Sequence, residues 1–240
     1  MTTAPTLKSL RAAFGMEFDL FIYISLKNRY LYVQTPKVAS TTIKYRLHKL
    51  ESEGTQINPD TLPLHPTIRD TIHIKPFQLP DNVLTEVFDD EKFFRFCFVR
   101  NPYVRVLSCY LDKIKGKEPE SVGIYNALNV PFQTDEVSFE YFIEYLESDV
   151  DNIQKWNPHW RPMHFLLRPD LIDYSLIGKL ENFDSDFMML QKRLEGRLDE
   201  SSTRAPHKTA SNDKTDLYYT KDLQKRVENI YWMDFESFNY

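Results

Sequence analysis

The stretch that decides the fold runs from residue 93 to residue 108 and reads FFRFCFVRNPYVRVLS. Its first seven residues are almost all apolar, which predicts a buried central strand. Asn101 is a favourable N-cap and Pro102 a favourable first helical residue, so a helix is expected to follow and to end at Gly116. Arg100 therefore lies at the carboxyl end of a strand, where open α/β sheets bind their ligands.

A second junction of the same kind lies upstream, at residues 33–44, and reads VQTPKVASTTIK. Pro36 ends the preceding strand because it cannot donate a hydrogen bond to a sheet, and a helix is expected from about Thr41 to Glu51. Free amides and the helix dipole make such a helix start an anion site, to which Lys37 adds a positive charge. The same residues are equally typical of an ordinary helix cap with a solvated lysine, so both interpretations stay open.

The elements around these junctions alternate between strands and helices. Strands are expected at residues 18–24 and 30–35, joined by a turn at Lys27-Asn28. Apolar residues spaced three and four apart predict further helices near residues 139–146, 183–194 and 223–231. Residues 117–137 are expected to be irregular. The pattern predicts an α/β fold with a central, mostly parallel sheet flanked by helices.

Composition excludes several classes of protein. A net charge of −5 over 240 residues argues against broad nucleic-acid binding, which needs a basic face. The six glycines are too far apart for either the GxGxxG or the GxxxxGK[ST] phosphate loop. The longest apolar run, residues 20–24, is too short for a membrane span. We expect one domain over residues 1–240, with residues 1–17 as a loosely ordered N-terminal extension.

Cysteine usage and the N-terminus bear on the compartment. Cys97 and Cys109 are too few for a disulfide framework or a four-ligand zinc site, and no metal site is expected. The first residues lack the charged start and apolar core of a secretory signal. These observations together predict a reduced, cytoplasmic setting.

Taken together, the two junctions resemble the nucleotide-binding elements of sulfotransferases. PKVASTT at residues 36–42 resembles their 5′-phosphosulfate-binding loop, and VRNPYVRVLSCYLDK at residues 99–113 resembles their 3′-phosphate motif. The close spacing within the second motif is similar to the carbohydrate sulfotransferase branch that includes the chondroitin, dermatan and HNK-1 enzymes. Further similar segments are NPHWRP at residues 157–162, IGKLENF at residues 177–183 and DFESF at residues 234–238. Animal members of that branch carry an N-terminal membrane anchor, which is not evident here.

The resemblance implies a P-loop-NTPase-like sulfotransferase fold and a defined chemistry. The sulfuryl donor would be 3′-phosphoadenosine 5′-phosphosulfate (PAPS), the product 3′,5′-bisphosphoadenosine (PAP), and the acceptor a hydroxyl of a carbohydrate. Lys37 would neutralise the leaving oxygens, and Arg100 and Ser108 would bind the 3′-phosphate. The other residues expected to bind the donor are Val38, Ala39, Ser40, Thr41 and Thr42 in the first loop, Arg105 in the second motif, and Arg204 and Thr209 in a late basic loop.

Sulfuryl transfer to a hydroxyl needs a base, and a histidine suits that task. His73 is the first candidate because it lies between the two nucleotide motifs, where several sulfotransferase branches place their catalytic histidine. His159, in an aromatic setting, is the second candidate. His48 is expected to be a surface residue of its helix. Trp156 and Trp160 could stack on an acceptor, although loop aromatics more often pack.

Two other functions are compatible with strand–loop–helix phosphate binding. A P-loop-type kinase is the first, and the missing GK[ST] and magnesium-binding signatures count against it. A non-catalytic module that binds a nucleotide or a glycan is the second, in which His73 and His159 would be structural. Dependence of transfer on magnesium would distinguish the kinase from the sulfotransferase.

Overall fold

A computed structural model describes residues 6–63, 71–194 and 214–240. Its strands are β1 (Ile22–Ser25), β2 (Tyr30–Val33), β3 (Phe94–Val99) and β4 (Leu176–Lys179). Its helices are α1 (Leu7–Phe14), α2 (Glu17–Phe21), α3 (Ser40–Ser52), α4 (Asp81–Asp89), α5 (Pro102–Cys109), α6 (Val122–Ala127), α7 (Phe139–Ser148), α8 (Met163–Leu167), α9 (Phe183–Arg193), α10 (Thr215–Tyr218), α11 (Lys221–Ile230) and α12 (Trp232–Phe238). None of these helices is long and apolar enough to cross a membrane.

The chain divides into two compact units. The first unit comprises Met1–Val99 and Leu166–Pro206, and the second comprises Arg100–Phe165 and His207–Tyr240. The first unit holds the four strands, and the second is helical in its described residues.

The first unit is built on a four-stranded sheet in the order β1-β2-β3-β4. Strand β1 pairs antiparallel with β2, whereas the pairs β2–β3 and β3–β4 are parallel. Val33 pairs with Cys97, so the carboxyl ends of β2 and β3 lie at the same edge of the sheet. Strand β3 is internal, and its residues 95–99 are buried, as its continuous apolar sequence predicts. The expected mixed α/β fold with a mostly parallel sheet is confirmed.

The beginning of the chain differs from expectation. Residues 18–21 were expected to continue a strand, but they belong to helix α2. Phe18 is 2% exposed, stacks on Phe88 and packs edge-on against Phe14, four residues earlier. Burial of Phe18 against aromatic rings of α1 and α4 has therefore overridden the strand propensity of this segment. Residues 7–14, part of the expected loose extension, form helix α1 with Leu10 buried.

The second unit has its own aromatic core. Helix α5 begins as expected, with the Asn101 side chain accepting from two backbone amides, and it continues into a π-helix at Tyr110–Ile114 before Gly116. Helices α7 and α11 pack against it through Phe142, Ile143 and Val227. Helix α6 lies within residues 117–137, which were expected to be irregular, so that expectation is wrong for Val122–Ala127.

Candidate active site

The loop between β2 and α3 has an unusual backbone. Lys37 has a φ of 70° and Ala39 a φ of 59°, both in the left-handed region that side-chain-bearing residues rarely adopt. They flank Val38, which is fully buried. Left-handed residues within a turn can aim neighbouring backbone amides toward one point, which is typical of anion-binding loops. Sequence analysis could not find this feature, because the loop contains no glycine.

The start of α3 strengthens the same site. Ala39 occupies the N-cap position, and its methyl side chain cannot accept a hydrogen bond from the first amides of this 13-residue helix. Those amides, at residues 40–42, and the positive end of the helix dipole favour an anion. The Thr42 hydroxyl is buried and has no hydrogen-bond partner among residues 6–63, 71–194 and 214–240. The structure thus places Lys37 and residues 38–42 together at a helix start suited to a phosphate group.

The second junction has the opposite arrangement. The Asn101 side chain accepts from the amides of Tyr103 and Val104 at 3.0 and 3.4 Å, so this helix start is already capped. Arg100 is half-buried and follows the last residue of β3, while Ser108 is 2% exposed in the last turn of α5. Any recognition of a phosphate here would depend on side chains rather than on the helix amides.

Arg105 was expected to contact the nucleotide, and the structure gives it internal partners. Its guanidinium is 1% exposed and donates to the carbonyl oxygens of Arg161 at 2.9 Å and Pro158 at 3.0 Å. These bonds hold the segment that carries His159. A contact of Arg105 with the nucleotide stays a prediction.

The His159 ring has a defined orientation. Asn157 Oδ1 accepts from the His159 backbone amide at 3.0 Å and lies 2.8 Å from ring Nδ1. An amide oxygen only accepts, so Nδ1 carries a proton. The neighbouring Trp156 and Trp160 are 4% and 6% exposed, so they pack in the core of the second unit rather than offering a stacking surface.

His73, the other candidate base, lies inside the first unit. It is 2% exposed, and its Nε2 atom lies 2.9 Å from the Tyr30 hydroxyl. Burial, followed by the nearby His48, Lys75 and Lys44, lowers the pKa of His73 well below its ordinary value. The ring is therefore neutral at pH 7, which is the state that a base requires.

His48 was expected at the surface, and this expectation is wrong. Its side chain is fully buried, and its ring lies 5.4 Å from that of His73. Within the described residues neither ring nitrogen has a hydrogen-bond partner. Burial and the nearby Lys44 lower the pKa of His48 to about 4. The apolar spacing of Ile43, Leu47 and Leu50 marks one face of α3, but nearly the whole helix is buried.

The late basic loop cannot be placed in the same way. Arg204 and Thr209, which were expected to close over the nucleotide, lie outside the described residues. Their contact with a donor stays a prediction.

Asp234 anchors the histidine-bearing part of the second unit. Its carboxylate is fully buried and accepts from the amides of Met163 at 2.9 Å and His164 at 2.7 Å. Asp234→Ala would leave both buried amides without a partner, so we expect a loss of about 2–5 kcal/mol in the free energy of unfolding. Urea denaturation measures this loss. Asp222→Ala is the control, because Asp222 has a 78% exposed side chain and lies 3.8 Å from Arg226. Equal losses in both variants would contradict the anchoring role.

These features define the class of protein, an α/β protein with two strand-to-helix junctions. The first follows β2 and leads into a helix start that favours a phosphate, and the second follows the neighbouring parallel strand β3. The chain belongs to the sulfotransferase family, whose sequence model matches residues 9–240. The resemblance noted from the motifs is thereby confirmed. No solved structure matches the chain.

Curated relatives are similar over most of this chain. It is 30% identical to mouse carbohydrate sulfotransferase 12 over 62% of this chain and 41% of the relative. It is 26% identical to rat carbohydrate sulfotransferase 11 over 88% and 64%, respectively. It is 27% identical to carbohydrate sulfotransferase 14 of Danio rerio over 91% of this chain and 62% of the relative. The chain therefore spans about two fifths to two thirds of the length of these relatives.

The relatives correct the expected compartment. They are Golgi membrane-anchored enzymes, which contradicts the cytoplasmic setting inferred above. That inference depended on two cysteines and a missing apolar run. Both cysteines are buried, which makes them part of the core whatever the compartment.

Proposed function

We propose that this chain transfers a sulfuryl group from PAPS to a hydroxyl of a carbohydrate acceptor. The observation that carries the proposal is the uncapped start of α3 after the left-handed residues Lys37 and Ala39, in a member of the sulfotransferase family. A sulfate donor follows from the family, and the carbohydrate acceptor is supported by the names of the relatives.

In this proposal the first loop handles the reacting end of the donor. The amides of residues 38–42 would bind the 5′-phosphate, with the side chains of Ser40, Thr41 and Thr42 as additional donors. Lys37 would meet the negative charge that grows on the bridging oxygen as the sulfuryl group leaves. Arg100 and Ser108 would bind the 3′-phosphate and so select PAPS over ATP.

The acceptor hydroxyl must lose its proton as the new bond to sulfur forms. His73 is the proposed base, and His159 is the alternative. Both are supported by a defined ring orientation, and the lowered pKa of His73 favours the neutral form. Positioning and electrostatics would supply most of the rate enhancement, with no covalent intermediate.

We also propose a P-loop-NTPase-like fold and a single sulfotransferase domain. The phosphate loop follows a parallel strand and opens a helix, as in that fold class, which supports the first statement. The match of the family model to residues 9–240 spans both compact units, which supports the second.

Transfer of labelled sulfuryl from PAPS to a panel of desulfated glycans tests the function directly. We expect turnover in the presence of EDTA, and no phosphoryl transfer from ATP with magnesium. A magnesium-dependent transfer from ATP would instead establish the kinase alternative. No transfer to any glycan, together with stabilisation by PAP, would favour a non-catalytic nucleotide-binding module.

Arg100→Ala tests recognition of the 3′-phosphate. We expect PAP binding to weaken by ~2–4 kcal/mol, the scale of breaking a desolvated charge pair, with a much smaller effect on AMP. Titration calorimetry with both nucleotides measures the difference. Arg11→Ala is the control, because Arg11 lies on α1 and pairs at the surface with Asp81. Equal weakening for PAP and AMP would show that Arg100 does not read the 3′-phosphate.

A further inference from the structure

His73, Tyr30 and Glu51 form a continuous chain of hydrogen bonds inside the first unit. The Tyr30 hydroxyl donates to Glu51 Oε1 at 3.0 Å and lies 2.9 Å from His73 Nε2. Tyr30 is fully buried and packs edge-on against the imidazole, with ring centroids 6.1 Å apart. Because both rings are buried, bulk water does not compete for the bond between them.

Counting the protons in this chain determines the tautomer of the imidazole. Glu51 Oε1 also accepts from Asn28 Nδ2 at 2.6 Å, as expected of an ionised carboxylate, which can only accept. The single hydroxyl proton of Tyr30 must therefore go to Glu51. The Tyr30 oxygen is then left to accept from His73 Nε2. His73 is thus held with its proton on Nε2 and its lone pair on Nδ1.

The other ring nitrogen, Nδ1, is left with the lone pair that a base needs. His73 Nδ1 is buried and has no hydrogen-bond partner in the part of the chain that the structure describes. Buried polar atoms are nearly always paired, so an unpaired one calls for an explanation, of which a catalytic role is one. Burial, followed by the nearby His48, Lys75 and Lys44, lowers the pKa of His73 and keeps the ring neutral.

We propose that Tyr30 and Glu51 are positioning residues for His73, a proposal that rests on the sulfotransferase function proposed above. In the transfer step the acceptor O–H bond breaks and its proton moves to His73 Nδ1. The acceptor oxygen forms its bond to sulfur, while the bond from sulfur to the bridging oxygen breaks and leaves its electron pair on PAP. The imidazolium keeps its bond to Tyr30, and Glu51 stabilises the positive charge without taking up a proton, as a triad carboxylate does.

The tautomer can be measured without reference to activity. In the full chain labelled with ¹⁵N-histidine, long-range ¹H–¹⁵N correlations distinguish protonated from bare ring nitrogens, and His73→Asn identifies the His73 signals. We expect a protonated Nε2 in the wild type and a loss of this preference in Tyr30→Phe. The matched control is Tyr45→Phe, which removes a tyrosine hydroxyl bonded to Asp60 at 2.5 Å elsewhere in the same unit and should leave the His73 signals unchanged.

Kinetics then test the consequence for turnover. Tyr30→Phe and the milder Glu51→Gln are expected to lower kcat ~10- to 100-fold. Mutating a residue that orients a metal-bound histidine has an effect of this size. The KM for PAPS and the stabilisation by PAP should hardly change. Rates of Tyr45→Phe should match the wild type.

The outcomes separate this proposal from the proposed function. A protonated Nδ1 in the wild type, or an unchanged tautomer in both Tyr30→Phe and Glu51→Gln, would overturn the proposal whatever the activity. An altered tautomer with unchanged kcat would also overturn it, because positioning would then not matter for turnover. The expected tautomers in a wild type that transfers no sulfuryl group would support the hydrogen-bond chain and count against the sulfotransferase function instead.

Discussion

Replacing His73 with alanine is expected to lower kcat by ~10²–10⁴-fold, the usual contribution of a general acid or base. The donor is bound by other residues, so PAP should still stabilise the variant against heat. The comparison needs kcat from steady-state sulfuryl transfer and the melting temperature with and without PAP. His73→Asn provides a second variant if the alanine leaves too large a cavity in the core, where His73 is 2% exposed.

His159→Ala is the informative partner experiment. If His73 is the base, loss of His159 should chiefly raise the KM for the acceptor. A collapse of kcat in His159→Ala with near-normal turnover in His73→Ala would transfer the role to His159. Normal kcat in both variants would mean that neither histidine is the base.

The pH profile gives an independent check with a definite sign. Burial and the neighbouring cations lower the pKa of His73 well below its ordinary value, so the ring stays neutral through neutral pH. Activity that depends on the neutral ring should fall only under acid, well below the ordinary histidine pKa of about 6.5. An acidic limb of kcat/KM near that ordinary value would argue against His73.

Replacing Lys37 with alanine is expected to lower kcat by ~10²–10³-fold, the scale of removing one electrostatic donor at a developing negative charge. The affinity for PAPS should change far less, because the full charge develops only as the bond to sulfur breaks. Single-turnover kinetics with saturating PAPS and an independent measurement of Kd separate the two effects.

Two further variants sharpen the result for Lys37. Lys37→Arg keeps the charge and should retain PAPS affinity while restoring only part of kcat, since the guanidinium cannot meet the same oxygen as a compact ammonium. Lys8→Ala removes an exposed lysine from α1 and should change neither quantity. An ordinary kcat with only weakened binding in Lys37→Ala would show that Lys37 is a simple anchor.

The candidate site follows from the sequence only in outline. Pro36 and the polar residues after it predicted a helix start near residue 40, and the structure begins α3 at Ser40. The sequence did not predict that this helix start is uncapped, or that Lys37 and Ala39 adopt left-handed backbone conformations. These conformations cost free energy in isolation and persist only where surrounding structure imposes them.

The sequence by itself determined the features that depend on neighbours within a few residues. Asn101 and Pro102 specified the start of α5, and the apolar run before them specified β3. Helix capping and strand burial depend on the order of residues within a short segment, so the sequence predicts them. Tertiary structure alone decided that residues 18–21 form a helix, that His48 is buried, and that residues 30, 51 and 73 share one chain of hydrogen bonds. Burial and tautomer are set by groups brought together from distant parts of the chain, and no local pattern encodes those contacts.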